Sequence, residues 1–204
     1  MSNKKYEFVD GDTIEHNGIT LKRIRANVAI GLTVSAGDLG GYIQSEVNLS
    51  QVSGNAWVYG DARVFGNAQV YGNAWVYDDA LVSGNARVSG DARVFGNAQV
   101  YGNAQVYGDA RVSGYAWVYG DAQVYDDALV YGDARVSGDA RVFGNAWVSG
   151  DAWVSGNARV YGDAQVYGDA QVYGDAWVSG NAQVYGDARI YWRNKPKTMG
   201  STRA

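Results

Sequence analysis

The 204-residue chain has a formal net charge of −4, one His, one Pro and no Cys, but 28 Gly, 16 Tyr and 7 Trp. The absent Cys excludes a disulfide scaffold, a thiol nucleophile and a Cys-ligated zinc or iron site, and one His leaves little for a His-rich metal centre. The acidic balance argues against a nucleic-acid partner, and 13% aromatic residues is not the composition of a disordered chain.

Residues 1–51 form the first unit. Tyr6-Glu-Phe-Val alternates as a strand, His16-Asn-Gly18 is a turn, and Ile19-Thr-Leu-Lys-Arg-Ile24 alternates again. The expectation is a hairpin and then an irregular coil near Leu39–Ser50, the two together capping the remainder of the chain. Met1-Ser-Asn-Lys-Lys lacks the apolar core of a signal peptide, and no stretch approaches 18 apolar residues. The chain is therefore expected to be soluble and cytoplasmic, with no membrane partner.

From Val52 the sequence repeats every six residues without an insertion. Twenty-three hexads of the form Val-x-Gly-[Asn/Asp]-Ala-x run to Arg189, and Ile190 continues the register. Gly holds the third position except at Asp78 and Asp126; Tyr115 replaces the Asn or Asp of the fourth. Six is divisible by two, so Ala-x-Val-x makes a short strand with Ala and Val on one face. Gly-Asn and Gly-Asp supply the bend, since both types accept a positive φ. A helix is excluded by Gly every six residues, β-branched Val and a period that is not a multiple of 3.6. Short strands with a bend every six residues coil into an all-β solenoid over 52–190.

Stretches such as Val58-Tyr-Gly-Asp-Ala-Arg-Val-Phe-Gly-Asn-Ala-Gln69 resemble the hexapeptide repeat of left-handed parallel β-helices. The resemblance implies a single-stranded β-helix with three hexads per triangular coil, so that residue n stacks on n+18. Handedness comes from the resemblance alone; a right-handed triangular helix of the bactofilin kind is the alternative that periodicity leaves open. The lead-in Gly37-Asp-Leu-Gly-Gly-Tyr-Ile-Gln-Ser-Glu-Val-Asn-Leu-Ser50 is similar to that of uncharacterised hexapeptide-repeat proteins of phages and prophages, some labelled acyltransferases by fold analogy. Residues 191–204 form the last unit. There Tyr191-Trp192-Arg193 departs from the hexad, Pro196 stops pairing, and Arg193, Lys195, Lys197 and Arg203 give a basic tail, read as solvated or as an arm for an acidic partner.

With Ala and Val inside, positions two and six face outward, and stacking at n+18 sorts them into three faces. The first carries Trp57/Tyr59, Trp75/Tyr77, Arg93/Phe95, Arg111/Ser113 and Trp147/Ser149; the second includes Trp117/Tyr119 and Trp153/Ser155. These residues are the candidate binding surface, because Tyr, Trp and Arg are the types enriched at interface hot spots and also stack bases or sugars. The competing reading is that the rings stabilise one another along the ladder. One corner stacks Asp133, Asp151, Asp169 and Asp187, a weak metal candidate against the plainer reading that each Asp bonds its own turn. No cofactor is expected.

Hexapeptide acyltransferases, by the same resemblance, use a catalytic His between subunits and a loop leaving the helix. This chain has only His16, expected to be solvated on the hairpin turn, and no loop among its hexads. Gly37-Asp-Leu-Gly-Gly41 is too short for a phosphate loop. The sequence therefore points to a non-enzymatic interaction rod that binds copies of itself, with a trimer the family's common form, or a host or phage protein. The alternative is a protein sequestering a nucleotide or glycan, as an anti-defence protein would; an acyltransferase-like enzyme ranks last.

Overall fold

Why a hexad becomes a coil is visible in any one corner. Gly84 sits at φ +68, and a Cβ there would fall 3.0 Å from both N and O of Gly102 in the next coil. The corner takes a left-handed residue, and Gly suits it best because the next coil crowds a Cβ. Asp78 and Asp126 adopt the same conformation, at φ 60 and 57. Their carboxylates turn outward to accept the Gly96 and Gly144 N–H groups at 3.2 and 3.3 Å.

A computed structural model describes residues 4–52 and 54–192. Each hexad makes one short strand, beginning with β4 (Trp57–Val58), β5 (Arg63–Val64) and β6 (Gln69–Val70) and ending with β24 (Trp177–Val178), β25 (Gln183–Val184) and β26 (Arg189–Trp192). The strands pair in parallel with the strand three hexads away, for example Arg93 with Arg111 and Val94 with Val112. Three sheets result, of 11, 8 and 7 strands, and the n+18 sorting holds along all of them. The architecture is thus the expected parallel β-solenoid with three hexads per coil.

Val and Ala of every inner coil point to the axis and are fully buried, from Ala62 and Val64 to Ala170 and Val172. Each buried Val contributes about 1.5–3 kcal/mol. Backbone bonds tie the coils with one polarity: the N–H groups of Trp75, Tyr77 and Asp79 donate to the carbonyls of Ala92, Val94 and Gly96 at 2.9–3.0 Å. At positions six, two and four the N–H points toward the C-terminal end, and the carbonyls that receive them point back toward the N-terminal end.

The N-terminal hairpin forms as read, from β1 (Tyr6–His16) and β2 (Ile19–Ala26). Asn17 and Gly18, at φ 49 and 76, give the two-residue turn whose twist suits a hairpin. β3 (Leu39–Ile43) pairs antiparallel with β2 and parallel with β5, so the hairpin extends the second face. Leu49 then bridges to Val70, completing the irregular first coil. Gly40 and Gly41 allow β3 to lie on the next coil. A Cβ on Gly40 would fall 2.5 Å from Ile24 Cγ1 and one on Gly41 2.7 Å from the Ala62 carbonyl oxygen, so these two glycines serve packing.

Tyr6, Ile24, Ile30, Val34 and Leu49 close the axis at this end. At the other end, Tyr191 and Trp192 do not leave the repeat; they lengthen β26, paired with Tyr173 and Gly174. The basic tail from Arg193 onward, with Pro196, lies outside the described residues.

Candidate functional site: the outward aromatic columns

The structure divides the candidate residues into rings that stack and rings that stand free. Tyr77 stacks on Phe95 at 4.8 Å and Tyr101 on Tyr119 at 5.1 Å, with ring planes within 4° of parallel. The third face carries the longest run, Tyr107–Tyr125–Phe143–Tyr161, at 4.9–5.0 Å. Such pairs are worth about 0.5–1.5 kcal/mol each beyond the area they bury. Burial raises the phenol pKa of Tyr77, Tyr101, Tyr107 and Tyr125, opposed at Tyr77 by the nearby Arg93. Position-two rings thus serve largely as ladders.

The tryptophans at position six behave differently. Trp117, Trp147, Trp153 and Trp177 are 36%, 43%, 40% and 62% exposed. Trp117 is held edge-on to Tyr101, and the Arg135 guanidinium lies 5.4 Å from its ring. Arg159 sits similarly over Trp177 at 5.0 Å. These indoles are fixed by two-residue strands of a rigid stack, so presenting them to a partner costs little conformational entropy.

Trp57 does not belong to the outward surface. It is fully buried, because the hairpin folds back over the first coil and sets the Tyr6 ring edge-on at 6.4 Å. Its indole N–H finds no acceptor among the described residues. The remaining first-face residues at this end stay outside. Tyr59, Trp75, Tyr77 and Arg93 line a groove of about 300 Å³ with Thr33, which the loop between β2 and β3 brings over the face. Phe95 is engaged in its stack, and Arg111 succeeds Arg93 one coil on, exposed. Trp117, Tyr119 and Trp153 lie on the second face, apart from this groove.

Two residue sets without an evident signal in the hexad pattern complete the surface. Thr33 closes the groove from a loop remote in sequence. Serines at position two interrupt the ring columns, and the structure uses one of them: Trp153 Nε1 donates to Ser137 Oγ at 3.2 Å and leaves that serine 6% exposed. Its one trace in the sequence is a Tyr-to-Ser change at n+18.

The corner polar residues form their own ladders. Asn67 donates to Asn85, Asn85 to Asn103 and Asn103 to Asp121, each one coil on at 3.0–3.1 Å. Asp133, Asp151, Asp169 and Asp187 stack at another corner as expected. Among the described residues no group of three His, Cys, Asp or Glu is close enough to hold a metal ion, so that column gains no support as a metal site. His16 is not a solvated turn residue. It ends β1, half-buried with its ring 5.1 Å from Phe65, and Nδ1 lies 3.5 Å from an Arg63 guanidinium nitrogen.

Among the described residues no helix is long and apolar enough to cross a membrane. A search of curated proteins finds no match. A family model described as the YdcK beta solenoid repeat matches overlapping windows from 50–66 and 56–72 through 152–168 and 164–180 to 170–184. These windows cover more than half of the chain and track its coils, and the chain belongs to the YdcK β-solenoid repeat family.

Proposed function

We propose that the protein is a non-enzymatic interaction rod that associates with a second copy of itself through its outward columns. The observation that carries this reading is the set of indoles at position six: most position-two rings stack on the ring one coil on, while Trp117, Trp147, Trp153 and Trp177 stand 36–62% exposed on a rigid frame. Exposed indoles flanked by Arg135 and Arg159 are the side chains that dominate interface energetics. Sedimentation velocity on the purified chain tests it. A species of twice the 21.9 kDa chain mass or more is expected, and a monomer at all concentrations contradicts it.

The groove of Thr33, Tyr59, Trp75, Tyr77 and Arg93 favours a second reading, in which the protein holds a planar anionic ligand such as a nucleotide. Rings there would stack the base, and Arg93 would pair with the phosphate. Native mass spectrometry of the freshly purified chain separates the two, since a co-purified small molecule supports the groove and a bare oligomer supports the rod.

A further inference from the structure

On the first face the position-two column reads Tyr59, Tyr77, Phe95, Ser113, Tyr131, Ser149, Tyr167, Tyr185. Tyr77 and Phe95 stack, as do Tyr167 and Tyr185. Tyr131 lies between two serines and is 38% exposed. Ser149 therefore interrupts the ladder between Tyr131 and Tyr167, two coils or about 9.6 Å apart at twice the strand spacing. The neighbouring ladders show that one ring fills such an interval, with its neighbours 4.9 Å away on either side. Trp147 and Gln165 flank the gap, which is an open groove of about 220 Å³.

The molecule demonstrates what a serine gap accepts. At Ser137 on the second face, the Trp153 indole covers the gap and bonds the serine hydroxyl. At Ser149 the serine stays partly exposed and Trp147 stands 43% exposed at the rim.

Charge beside the gap selects the company of an incoming ring. Asp133, Asp151 and Asp169 stack at the adjoining corner, all exposed. The ion pairs among the described residues involve none of them. Carboxylates one coil apart repel, and a cationic segment relieves that. The chain itself carries an aromatic and then cations: Trp192-Arg193-Asn-Lys195-Pro-Lys197. Tyr191 is occupied by its stack on Tyr173 at 5.4 Å, whereas Trp192 is 63% exposed. β26 belongs to the second sheet and Ser149 comes after a strand of the first, so contact within one chain would require β26 to unpair.

The geometry points to a reciprocal contact between two copies: Trp192 of each fills the missing rung at Ser149 of the other, where the acidic Asp133–Asp151–Asp169 column complements the cationic sequence that follows Trp192. This rests on the self-association reading and names its site. The contact is two-fold and self-complementary, with two identical aromatic anchors per dimer.

Sedimentation equilibrium of the full chain, W192S, S149Y and an equimolar mixture of the two tests the pairing. S149Y supplies the missing ring from the protein itself, so circular dichroism melts should show its fold retained. The wild type is expected to dimerise, and each variant alone to dimerise at least about tenfold more weakly, a change of 1.4 kcal/mol. The mixture regains one of the two contacts and associates more strongly than either variant alone. Raising salt from about 0.1 M to 1 M, which shortens the screening length from about 10 Å to 3 Å, weakens the wild-type dimer. A dimer unaffected by either substitution overturns the Ser149 site while leaving self-association standing. A monomeric wild type overturns both.

Discussion

The two ends of the solenoid differ in the chemistry of their exposed backbone, and this decides how each is finished. At the N-terminal end the coil presents carbonyl oxygens, and the cap meets them with donors. Lys5 Nζ donates to the Ala56 carbonyl at 2.7 Å and also reaches those of Gly54 and Ser50. Asn48 Nδ2 donates to Gly66 and Ala68 at 3.0 and 2.9 Å. Tyr42, Gln44 and Ser50 add backbone N–H groups to Ala62, Val64 and Val70. At the C-terminal end the coil presents N–H groups. Among the described residues, the last to donate one coil on are Gln171 and Asp175, to the carbonyls of Ala188 and Trp192 at 2.8 and 3.2 Å. Among the described residues there, Ala182 is exposed and Ile190 is 38% exposed, at positions that are fully buried in the inner coils. A parallel β-solenoid thus needs donors at its start and acceptors at its finish.

The largest effect is expected at the plug. Trp57→Ala removes the biggest fully buried side chain and should cost about 3–5 kcal/mol in urea unfolding. A loss below about 1 kcal/mol would mean that the cap is not bonded to the first coil as described. Next comes Asn48→Asp, which keeps the shape but turns a carboxylate toward two carbonyls and removes both donor bonds. It should cost about 2–3 kcal/mol, while Asp at Asn181 near the C-terminal end should change stability by less than about 0.5 kcal/mol. Ile190→Ala should cost under about 1 kcal/mol, whereas Ile24→Ala at the plug should cost about 2–4 kcal/mol. Equal losses would erase the distinction between the ends.

A smaller effect is the pH dependence of the capped end. Burial lowers the Lys5 pKa to about 8 from 10.5, so its charge burdens the folded state below pH 8 and that burden is relieved as pH rises from about 8 to 10.5. Burial, with a smaller contribution from the Glu46 charge, raises Tyr6 above its ordinary value of 10, so the folded chain keeps that proton after the unfolded chain has lost it. Its contribution is present below pH 10 and is lost above it. Thermal melts should rise from pH 8 toward 10 and fall beyond. In Lys5→Met the rise should vanish and the fall should remain.

Much of the architecture was legible in the sequence because period six and the n+18 rule are local. Val and Ala fixed what faces inward, Gly and Asp the corners, and the three faces came by counting. Trp57 was not legible as buried: it and Trp75 sit in the same run Gly-Asn-Ala-Trp-Val-Tyr, and only contact with Tyr6, remote in sequence, separates them. His16 failed for the same reason, since Phe65 receives it. The Ser137 gap is visible as a break in the ring column, but that Trp153 fills it depends on which way a side chain leans across the face.

Concentration-dependent hydrogen exchange over the two ends bears most directly on the claim that this rod is closed at one end and associates near the other. Amides of Tyr42, Gln44, Ser50, Ala56 and Trp57, all bonded to the next coil, should exchange only with global unfolding at every concentration, whereas those of Gln183 to Trp192 should exchange quickly in dilute protein and gain protection as protein concentration rises. Equal protection at both ends, independent of concentration, would contradict it.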